Sequence, residues 1–318
     1  MKIPTNNLFK WIGGKKWLSK QLLEKTKQTI QKDKNIYIEP FLGGMGSFLA
    51  ILPELLNKNI NKFILNDINP VIIHLLNEIK ENPNNIIKNY KKIQEDFYKT
   101  FPKEVYSLHP TTNKDEIKIL LKKSNDFFKE KKKRFNMLKL KENNNTKEKE
   151  ELNYLFLFLM KNSFNGIYRE NLKGEFNTPF NWNNKKEKLD KEITILEYHR
   201  LFNTIDVVFE SLDVFELLNK YNNYKTSFLY LDPPYANEDE KENKYNKEHF
   251  NFDKQKELLN YLNNYENYIY SNHSIEFFKK YFQKDQQHSF IEVERKNIMT
   301  SKKENRSNNV KEILGIKK

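Results

Sequence analysis

A short apolar run that ends in a rigid acidic turn constrains this chain more than any other feature. Phe228–Leu231 is entirely apolar or aromatic and is typical of a buried parallel strand. Asp232, Pro233, Pro234 and Tyr235 follow it directly. Since ligands of open α/β sheets bind beyond the carboxyl ends of the strands, the sequence predicts a ligand site at this turn. The alternative is an ordinary proline turn after a strand.

The turn carries groups that suit a flat ligand with an amino group. Proline fixes φ and has no backbone N–H, so the carbonyls of Asp232 and Pro233 can be held toward a cleft. The Asp232 carboxylate and a fixed carbonyl can accept both hydrogens of an exocyclic amino group, and the Tyr235 ring can stack on a base. The combination predicts chemistry on an amino nitrogen of a nucleobase.

A glycine-rich loop near the start of the chain predicts a second ligand-binding turn. The strand-forming run Ile36–Glu39 is followed by Pro40–Ser47, which contains three glycines, and an apolar helix opens near Phe48. Glycine lets the backbone approach a ligand closely. The spacing is not that of the dinucleotide fingerprint and no phosphate-binding Lys-Ser/Thr pair follows, so neither NAD nor ATP is the favoured ligand.

Two further segments offer candidate ligand contacts. Asp67 ends the next predicted strand, where an acidic residue can hold the hydroxyls of a ribose. Its alternative role is to cap the helix that starts near Pro70. Earlier in the chain, Trp11 and Lys15 flank tandem glycines that can close over a carboxylate-bearing ligand. The alternative for this segment is a plain loop before a helix over residues 16–30.

Composition restricts the compartment and the partners. The 318 residues carry a net charge of +13, which fits a polyanionic partner, although 51 of the 56 basic residues are lysine and much of the charge can be a solvated face. There is no cysteine, which excludes disulfides and thiolate zinc sites, and the six histidines show no metal-ligand spacing. Without a signal peptide or a membrane-length apolar run, the protein is expected in the cytoplasm.

The order of predicted elements divides the chain. Strands alternate with helices over residues 1–80 and from 204 to the end, which predicts one parallel sheet with helices on both faces. The later predicted strands are Asp206–Phe209, Phe228–Leu231, Tyr268–Ser271, Phe290–Glu294 and Glu312–Ile316. Residues 81–203 form an insertion.

The insertion is lysine-rich and mainly helical in its first part. Lys141–Glu151 is expected to be a mobile loop or a frayed helix. Leu152–Met160 is expected to be an apolar helix that can pack against the sheet domain, and Phe164–Trp182 is expected to form a β-hairpin.

Four blocks, in this order, resemble one enzyme family, the D12 class of adenine-N6 DNA methyltransferases that includes the Dam enzymes. They are Lys10–Lys15, Glu39–Ser47, Phe164–Phe180 and Asp232–Tyr235. Tyr270–His273 and the closing stretch, residues 295–314, are also similar. The resemblance runs from about residue 8 to about residue 315, with a diverged stretch between about 82 and 151. The glycine loop departs from the usual family pattern near Gly44 and Met45.

The resemblance implies a fold, a reaction and a cofactor. The expected fold is a Rossmann-like class I methyltransferase sheet, with an inserted, mainly helical DNA-recognition domain that contains the hairpin. The expected reaction is site-specific methyl transfer from S-adenosylmethionine to N6 of an adenine flipped out of duplex DNA, with Asp232, Pro233 and Tyr235 as catalytic residues and no metal. The implied cofactor contacts are Trp11, Lys15, Phe41, Gly43, Gly44, Gly46, Asp67, Asp213 and Asp232. Asp213 has a helix cap as its alternative role.

The resemblance also places the DNA contacts in the insertion and in a polar loop near the end of the chain. Arg169 is expected to read a guanine and Ile167 or Pro179 a thymine methyl group. The full set is Lys10, Ile167, Arg169, Lys173, Pro179 and Arg306, with plain solvation as the alternative for each lysine. A GATC site is a guess from the family. The protein is expected to be a monomer, with a cognate restriction endonuclease as a candidate partner.

Two alternative functions stay open. One is a methyltransferase acting on RNA or on another amino group, and Asp232 argues against it because such enzymes often carry Asn or Ser at that position. The other is a catalytically inactive DNA-binding relative, which the intact Asp232, Tyr235 and glycine loop disfavour.

Overall fold

The chain divides into two compact units. In a computed structural model, residues 3–107, 112–181, 191–235, 250–296 and 309–318 are described. One unit, the helical unit, contains residues 1–14, 43–45 and 69–204. The other, the sheet unit, contains residues 15–42, 46–68 and 205–318. This structural division places residues 69–80 in the helical unit. The predicted catalytic and recognition domains are a division by function, and that division stays a prediction.

The described residues form eleven α-helices and seven β-strands. The helices are α1 Ser19–Thr29, α2 Gly46–Asn57, α3 Pro70–Glu81, α4 Pro83–Tyr98, α5 Lys114–Leu120, α6 Lys122–Lys139, α7 Thr146–Asn162, α8 Lys191–Thr204, α9 Val214–Lys220, α10 Phe252–Leu262 and α11 Glu276–Tyr281. The strands are β1 Ile36–Glu39, β2 Lys62–Asn66, β3 Asp206–Glu210, β4 Ser227–Leu231, β5 Tyr268–His273, β6 His288–Lys296 and β7 Asn309–Lys317. Among the helices described, none is both long and apolar enough to cross a membrane.

All seven strands belong to one sheet, in the order β3-β2-β1-β4-β5-β7-β6. The first five are parallel, as expected from the alternation of strands and helices. The expectation of a fully parallel sheet is wrong for β7, which runs antiparallel to both β5 and β6. The alternation of strands and helices stops after α11, since the next two described elements, β6 and β7, are strands that pair with each other. The antiparallel direction could not be predicted, because hydrophobic periodicity carries no information on strand direction.

Helices cover both faces of the sheet, as predicted. Tyr37 is paired in register with Phe63 on β2 and Phe228 on β4, and Phe48 of α2 packs against the first two of these rings. The next residue on β1, Ile38, faces the opposite way because side chains alternate along a strand. It belongs to a buried cluster with apolar side chains of α9, α10 and α11. The predicted α/β architecture is therefore confirmed.

The helical unit is organised around α7. Its residues Leu155–Met160 are all buried, which is typical of a helix surrounded by others. Within this unit α7 contacts α3, α4 and α6, and α8 contacts α3 and α4.

The stretch Lys141–Glu151, expected to be a mobile loop or a frayed helix, is part of α7 from Thr146 onward. A capping box formed by Asn145 and Glu148 starts α7 at Thr146, so only the residues just before it are loop.

The segment after α7 is an antiparallel hairpin with little regular strand. Two isolated bridges, Ser163 with Phe180 and Glu170 with Phe176, join its arms. A 3₁₀ turn, Phe164–Gly166, begins it. The arms are also held to α6, since the Asn136 side chain both donates to the Phe176 carbonyl and accepts from the Phe176 N–H, at 3.0 and 2.8 Å. The hairpin prediction is thus right in topology for the described residues, while its last residue, Trp182, lies outside them.

Candidate active site

The strand order creates a crevice at one place on the carboxyl edge of the sheet. From β1 the chain moves outward to β2 and then β3, whereas from β4 it moves the other way to β5. The direction of winding therefore changes between β1 and β4, and ligands of open α/β sheets bind at such switch points. Asp232 follows β4 directly. The acidic turn that the sequence singled out lies at this position.

Three side chains from distant parts of the sheet unit, Lys15, Ser271 and Glu312, meet Asp232 or Tyr235 of the acidic turn. The ammonium of Lys15 lies 3.0 Å from Oδ1 of Asp232 and 3.4 Å from Oε2 of Glu312. The Tyr235 hydroxyl accepts from Lys15 at 2.6 Å and donates to Glu312 at 2.9 Å. Ser271 on β5 is 2.8 Å from the same hydroxyl. One ammonium thus serves two carboxylates.

Burial and charge act in opposite directions on Asp232. Its side chain is only 16% exposed, and loss of water raises its pKa. The nearby Lys15 ammonium opposes that shift and the Glu312 carboxylate adds to it. The pKa of the Tyr235 hydroxyl is also raised, mainly by burial and then by the two carboxylates, so it stays protonated. The site therefore keeps a carboxylate whose proton affinity is above that of an ordinary aspartate.

The proline turn is fixed by a residue that the sequence reasoning missed. Gln255 on α10 is fully buried, and its amide donates to the Pro234 carbonyl at 2.7 Å. The amide oxygen accepts from the Tyr270 hydroxyl and, at 3.1 Å, from Asn272. This bond holds the turn at Pro234, the residue after Pro233, whose own carbonyl is predicted to face the target. A glutamine in an amphipathic helix gives no sequence signal of this role.

Asn66, at the end of β2, ties three loops together and was also missed. Its side-chain N–H groups donate to the carbonyls of Pro40 and Leu212, at 2.9 and 3.1 Å. Its side-chain oxygen accepts from the Leu212 N–H at 2.9 Å. Asp67 follows, 8% exposed, with its backbone N–H bonded to the Glu210 carbonyl. The loops after β1, β2 and β3 are therefore held at fixed spacing around Asp67.

Asp67 and Asp213, the two acidic residues with a helix cap as their alternative role, differ in whether they cap a helix. The cap of α3 is Asn69, whose side chain accepts from the Val71 N–H, so the capping role weighed for Asp67 is wrong. Asp213 does cap α9, because its Oδ1 accepts from the Phe215 N–H at 2.9 Å. A carboxylate has a second oxygen, so the cap leaves acceptor capacity for a ligand.

The remaining predicted cofactor contacts fall in both units. In the helical unit, a Cβ on Gly43, where φ is +50°, would lie 2.6 Å from the Trp11 ring, and one on Gly44 would lie 2.9 Å from Trp11. Only glycine fits against this tryptophan at these two positions, and the Trp11 ring also stacks on Tyr168 with centroids 5.3 Å apart. In the sheet unit, Gly46 opens α2 and Phe41 packs edge-on against Phe250.

The predicted DNA contacts that the structure describes lie on or beside the hairpin. Arg169 and Lys173 are exposed, as is Pro179, and Ile167 is half-buried. Lys10 packs its stem against Gly166 at the start of the hairpin. Arg169 is oriented by Asn177, whose side-chain oxygen accepts from its Nε at 2.7 Å. Arg306 lies outside the described residues.

Comparison with known proteins gives a consistent result. Residues 11–299 match the family model of D12 class N6 adenine-specific DNA methyltransferases. The chain is 27% identical to the type II methyltransferase M.MjaIII of Methanocaldococcus jannaschii, with 86% of each chain aligned. It is 28% identical to a DNA adenine methylase of Haemophilus influenzae, over 74% of this chain and 65% of that protein. A third relative, type II methyltransferase M1.LlaDCHI of Lactococcus lactis, is 26% identical over 74% of this chain and 67% of its own length. The chain belongs to the D12 class of N6 adenine-specific DNA methyltransferases.

Proposed function

We propose that this protein methylates N6 of adenine at a specific site in duplex DNA, with S-adenosylmethionine as the methyl donor. The observation that carries the proposal is the largely buried Asp232 carboxylate at the switch point of the sheet, in a chain that matches the family model over most of its length. A base inside a duplex is out of reach of a buried group, so the target adenine is flipped out.

The acidic residues at the carboxyl edge of the sheet fit the proposed cofactor. Two carboxylates, Asp67 and Asp213, follow the neighbouring strands β2 and β3. A carboxylate can accept hydrogen bonds from the hydroxyls of a ribose or from the amino group of an adenine. We propose that Asp67 binds the ribose and that Asp213 binds the adenine amino group of the cofactor. Phe41, Gly43, Gly44 and Gly46 are proposed to lie along the cofactor, with Trp11 and Lys15 at its methionine end.

The chemistry asks the protein for orientation rather than for a covalent intermediate. S-adenosylmethionine, when bound, would supply a methyl group to the N6 lone pair: the bond from sulfur to methyl breaks, S-adenosylhomocysteine is the leaving group, and N6 gives up one proton to solvent. Asp232 and the Pro233 carbonyl accept hydrogen bonds from the two N6–H groups, which directs the lone pair away from the ring. Tyr235 stacks on the base. Such positioning, with fixed acceptors in a site shielded from water, lowers the barrier.

Specificity is proposed to lie in the hairpin. Arg169 is exposed there, and the bond from its Nε to Asn177 leaves both terminal amino groups for a ligand. Arginine matches the O6/N7 edge of guanine in the major groove. The hairpin is anchored to α6 by Asn136 and by Lys139, which bonds the Gly174 carbonyl and pairs with Glu170 at 2.7 Å. An anchored loop can hold a base-reading side chain at a fixed angle.

A basic groove beside the hairpin is proposed to hold the DNA backbone. Its lining includes Lys129, Lys132 and Lys133 of α6 together with Glu175 of the hairpin. Burial, the neighbouring Lys129 and then Arg169 lower the pKa of Lys132. Like charges this close repel one another, and phosphates relieve that repulsion while releasing counterions. The groove gives a non-specific contact next to the specific one.

One assay separates the proposed function from its alternatives. Duplex DNA, single-stranded RNA and unmodified protein are each incubated with the protein and S-adenosylmethionine carrying a labelled methyl group, and modified bases are identified by mass. N6-methyladenine in duplex DNA is the expected product. Label in RNA or on another amino group would support the first alternative. DNA binding without transfer would indicate an inactive relative.

The setting of the reaction is part of the proposal. We propose that the protein acts as a monomer in the cytoplasm. Two relatives are named as type II methyltransferases, so a cognate restriction endonuclease is a candidate partner for this protein. Protection of methylated DNA from a co-expressed endonuclease tests that pairing.

A further inference from the structure

Glu312 joins the site from the far end of the chain. It lies on β7 and is 1% exposed. The antiparallel register pairs it with His273 on β5, whose ring packs edge-on against Tyr235 with centroids 4.7 Å apart. The insertion of β7 between β5 and β6 is therefore what brings this carboxylate to the acidic turn.

Two contacts connect Glu312 to groups around Asp232. Its Oε2 accepts the hydrogen bond from the Tyr235 hydroxyl at 2.9 Å and lies 3.4 Å from the Lys15 ammonium. Lys15 is itself 3% exposed, so this ammonium has few alternatives to its two carboxylates. A buried carboxylate costs free energy unless it is paired and hydrogen-bonded, and Glu312 is both.

We propose that Glu312 is a positioning residue for methyl transfer: it holds the Tyr235 ring by its hydroxyl and shares the Lys15 ammonium, so that the Asp232 carboxylate, whose Oδ1 lies 3.0 Å from this ammonium, is not neutralised by it alone and can still accept from the target amino group. The proposal rests on the proposed function. Without Glu312, the ammonium would keep its bond to the Tyr235 hydroxyl, and Asp232 would be the one described carboxylate still paired with it. The ammonium would then neutralise Asp232 more fully, and the Tyr235 hydroxyl would lose its carboxylate acceptor while keeping its contact with Ser271.

This role has a signature in the pH dependence of the rate. Transfer requires the ionised Asp232, so the rate falls on the acid side as Asp232 takes up a proton. The Glu312 charge raises the pKa of Asp232, and the Lys15 charge lowers it. Removing the Glu312 charge therefore moves the acid limb to lower pH. The titratable groups facing Asp232 from the surrounding elements are Lys15, Glu39, Tyr230, Tyr235, Tyr270 and Glu312.

The experiment compares Glu312→Gln with wild type in steady-state methylation of duplex DNA across pH. Glutamine keeps the shape and can still accept from Tyr235, but it lacks the charge. The expected result is a kcat reduced by between about ten- and a hundredfold, an acid limb at lower pH, and unchanged binding of S-adenosylhomocysteine. Glu294→Gln on the neighbouring β6, which pairs with Lys311 and is 53% exposed, is the matched control and should behave as wild type.

A wild-type kcat and an unmoved acid limb in Glu312→Gln would overturn the proposal. Should that variant fail to fold, Glu312→Asp decides: it keeps the charge but withdraws it by one methylene. A reduced kcat with the wild-type acid limb supports positioning, and a wild-type kcat overturns it. Failure of the proposed function itself is distinguishable, because it would show as absent transfer in the wild-type protein.

Discussion

The Tyr37 hydroxyl donates a hydrogen bond of 2.6 Å to the carboxylate of Glu39, two residues further along β1. Both side chains are fully buried, and the hydroxyl of Ser47 donates to the other carboxylate oxygen. The two hydrogen bonds favour the ionised form, but burial outweighs them and raises the pKa of Glu39 to about 8. Folded protein at neutral pH therefore holds a proton that the unfolded chain releases.

This proton predicts a loss of stability as pH rises. The folded pKa of Glu39 is above its ordinary value of 4.5, so the contribution of Glu39 is fully present below about pH 4.5 and is lost as pH rises through about 8. The free energy of unfolding should fall by up to about 1.4 kcal/mol per pH unit in that window. Glu39→Gln, which cannot ionise, should flatten the decline. Urea unfolding at several pH values between 5 and 8 measures both slopes, and parallel slopes would mean that Glu39 is not protonated in the folded state.

Asp232→Asn should remove methylation while it leaves cofactor binding nearly intact. The amide keeps the size of the carboxylate and one acceptor oxygen, but it lacks the negative charge that strengthens the bond to the amino group and balances Lys15. The rate should fall by at least about a hundredfold, as is typical when one fixed polar group that faces the reacting atoms is removed. Transfer kinetics and calorimetry with S-adenosylhomocysteine test the two halves. Asp253→Asn, an exposed residue on α10, is the control, and collapse of cofactor affinity in Asp232→Asn would show that Asp232 serves the cofactor instead.

Asp67→Ala should weaken the cofactor more than it slows maximal turnover. Removal of one charge-assisted hydrogen bond to the ribose should cost about 1.5–3 kcal/mol of binding free energy. Calorimetry with S-adenosylhomocysteine gives this number directly. Asp206→Ala, at the exposed opposite end of β3, is the comparison. If both variants bind alike, Asp67 serves the loops around Asn66 rather than the cofactor.

The sequence was a good guide to the strands of the sheet because their burial leaves a plain signal. Phe228–Leu231 and Ile36–Glu39 are short apolar or alternating runs, each bounded by a turn rich in proline or glycine, and both are strands in the structure. The residues that follow them are fixed by the same topology that makes the sheet parallel. A site at the carboxyl ends of β1 and β4 could therefore be predicted without any coordinates.

The supporting residues could not be predicted, because their roles depend on long-range pairing. Glu312 reaches Asp232 only because β7 is antiparallel and enters between two other strands, and no local pattern encodes strand direction. Gln255 and Asn66 act through side-chain bonds to backbone carbonyls of distant loops. A glutamine on a surface helix or an asparagine at the end of a strand that lacked such bonds would give the same local sequence pattern, so the pattern cannot reveal the role.

The basic groove on α6 should contribute salt-dependent affinity without sequence preference. The triple variant Lys129→Gln, Lys132→Gln and Lys133→Gln removes three positive charges. If these lysines bind phosphates, the slope of log affinity against log salt should flatten by about one for each phosphate that is no longer neutralised, equally for cognate and unrelated duplexes. Fluorescence anisotropy at a series of salt concentrations measures it.

A variant with the same charge change elsewhere provides the control for the groove. Lys20, Lys27 and Lys32 are exposed and lie in or near α1 of the sheet unit, so their replacement by glutamine lowers net charge equally. If the two triple variants flatten the salt slope to the same degree, the effect belongs to net charge alone and the groove is a solvated face.

Arg169→Ala should relax discrimination at one base pair of the recognition site. A guanidinium that bonds O6 and N7 of guanine contributes about 1–3 kcal/mol of discrimination against other bases. Methylation rates on a set of duplexes, each with one base pair of the site substituted, give the preference profile. Arg169→Lys keeps the charge but lacks the planar fork, so it should lose the same preference while it retains the salt dependence of binding. Arg200→Ala, at an exposed position on α8, controls for the removal of an arginine.

A phosphate contact of Arg169 predicts the reverse pattern: Arg169→Lys would behave as wild type, and Arg169→Ala would lose rate equally on every duplex. In that case guanine recognition would have to come from another residue of the hairpin that Asn136 and Lys139 anchor to α6.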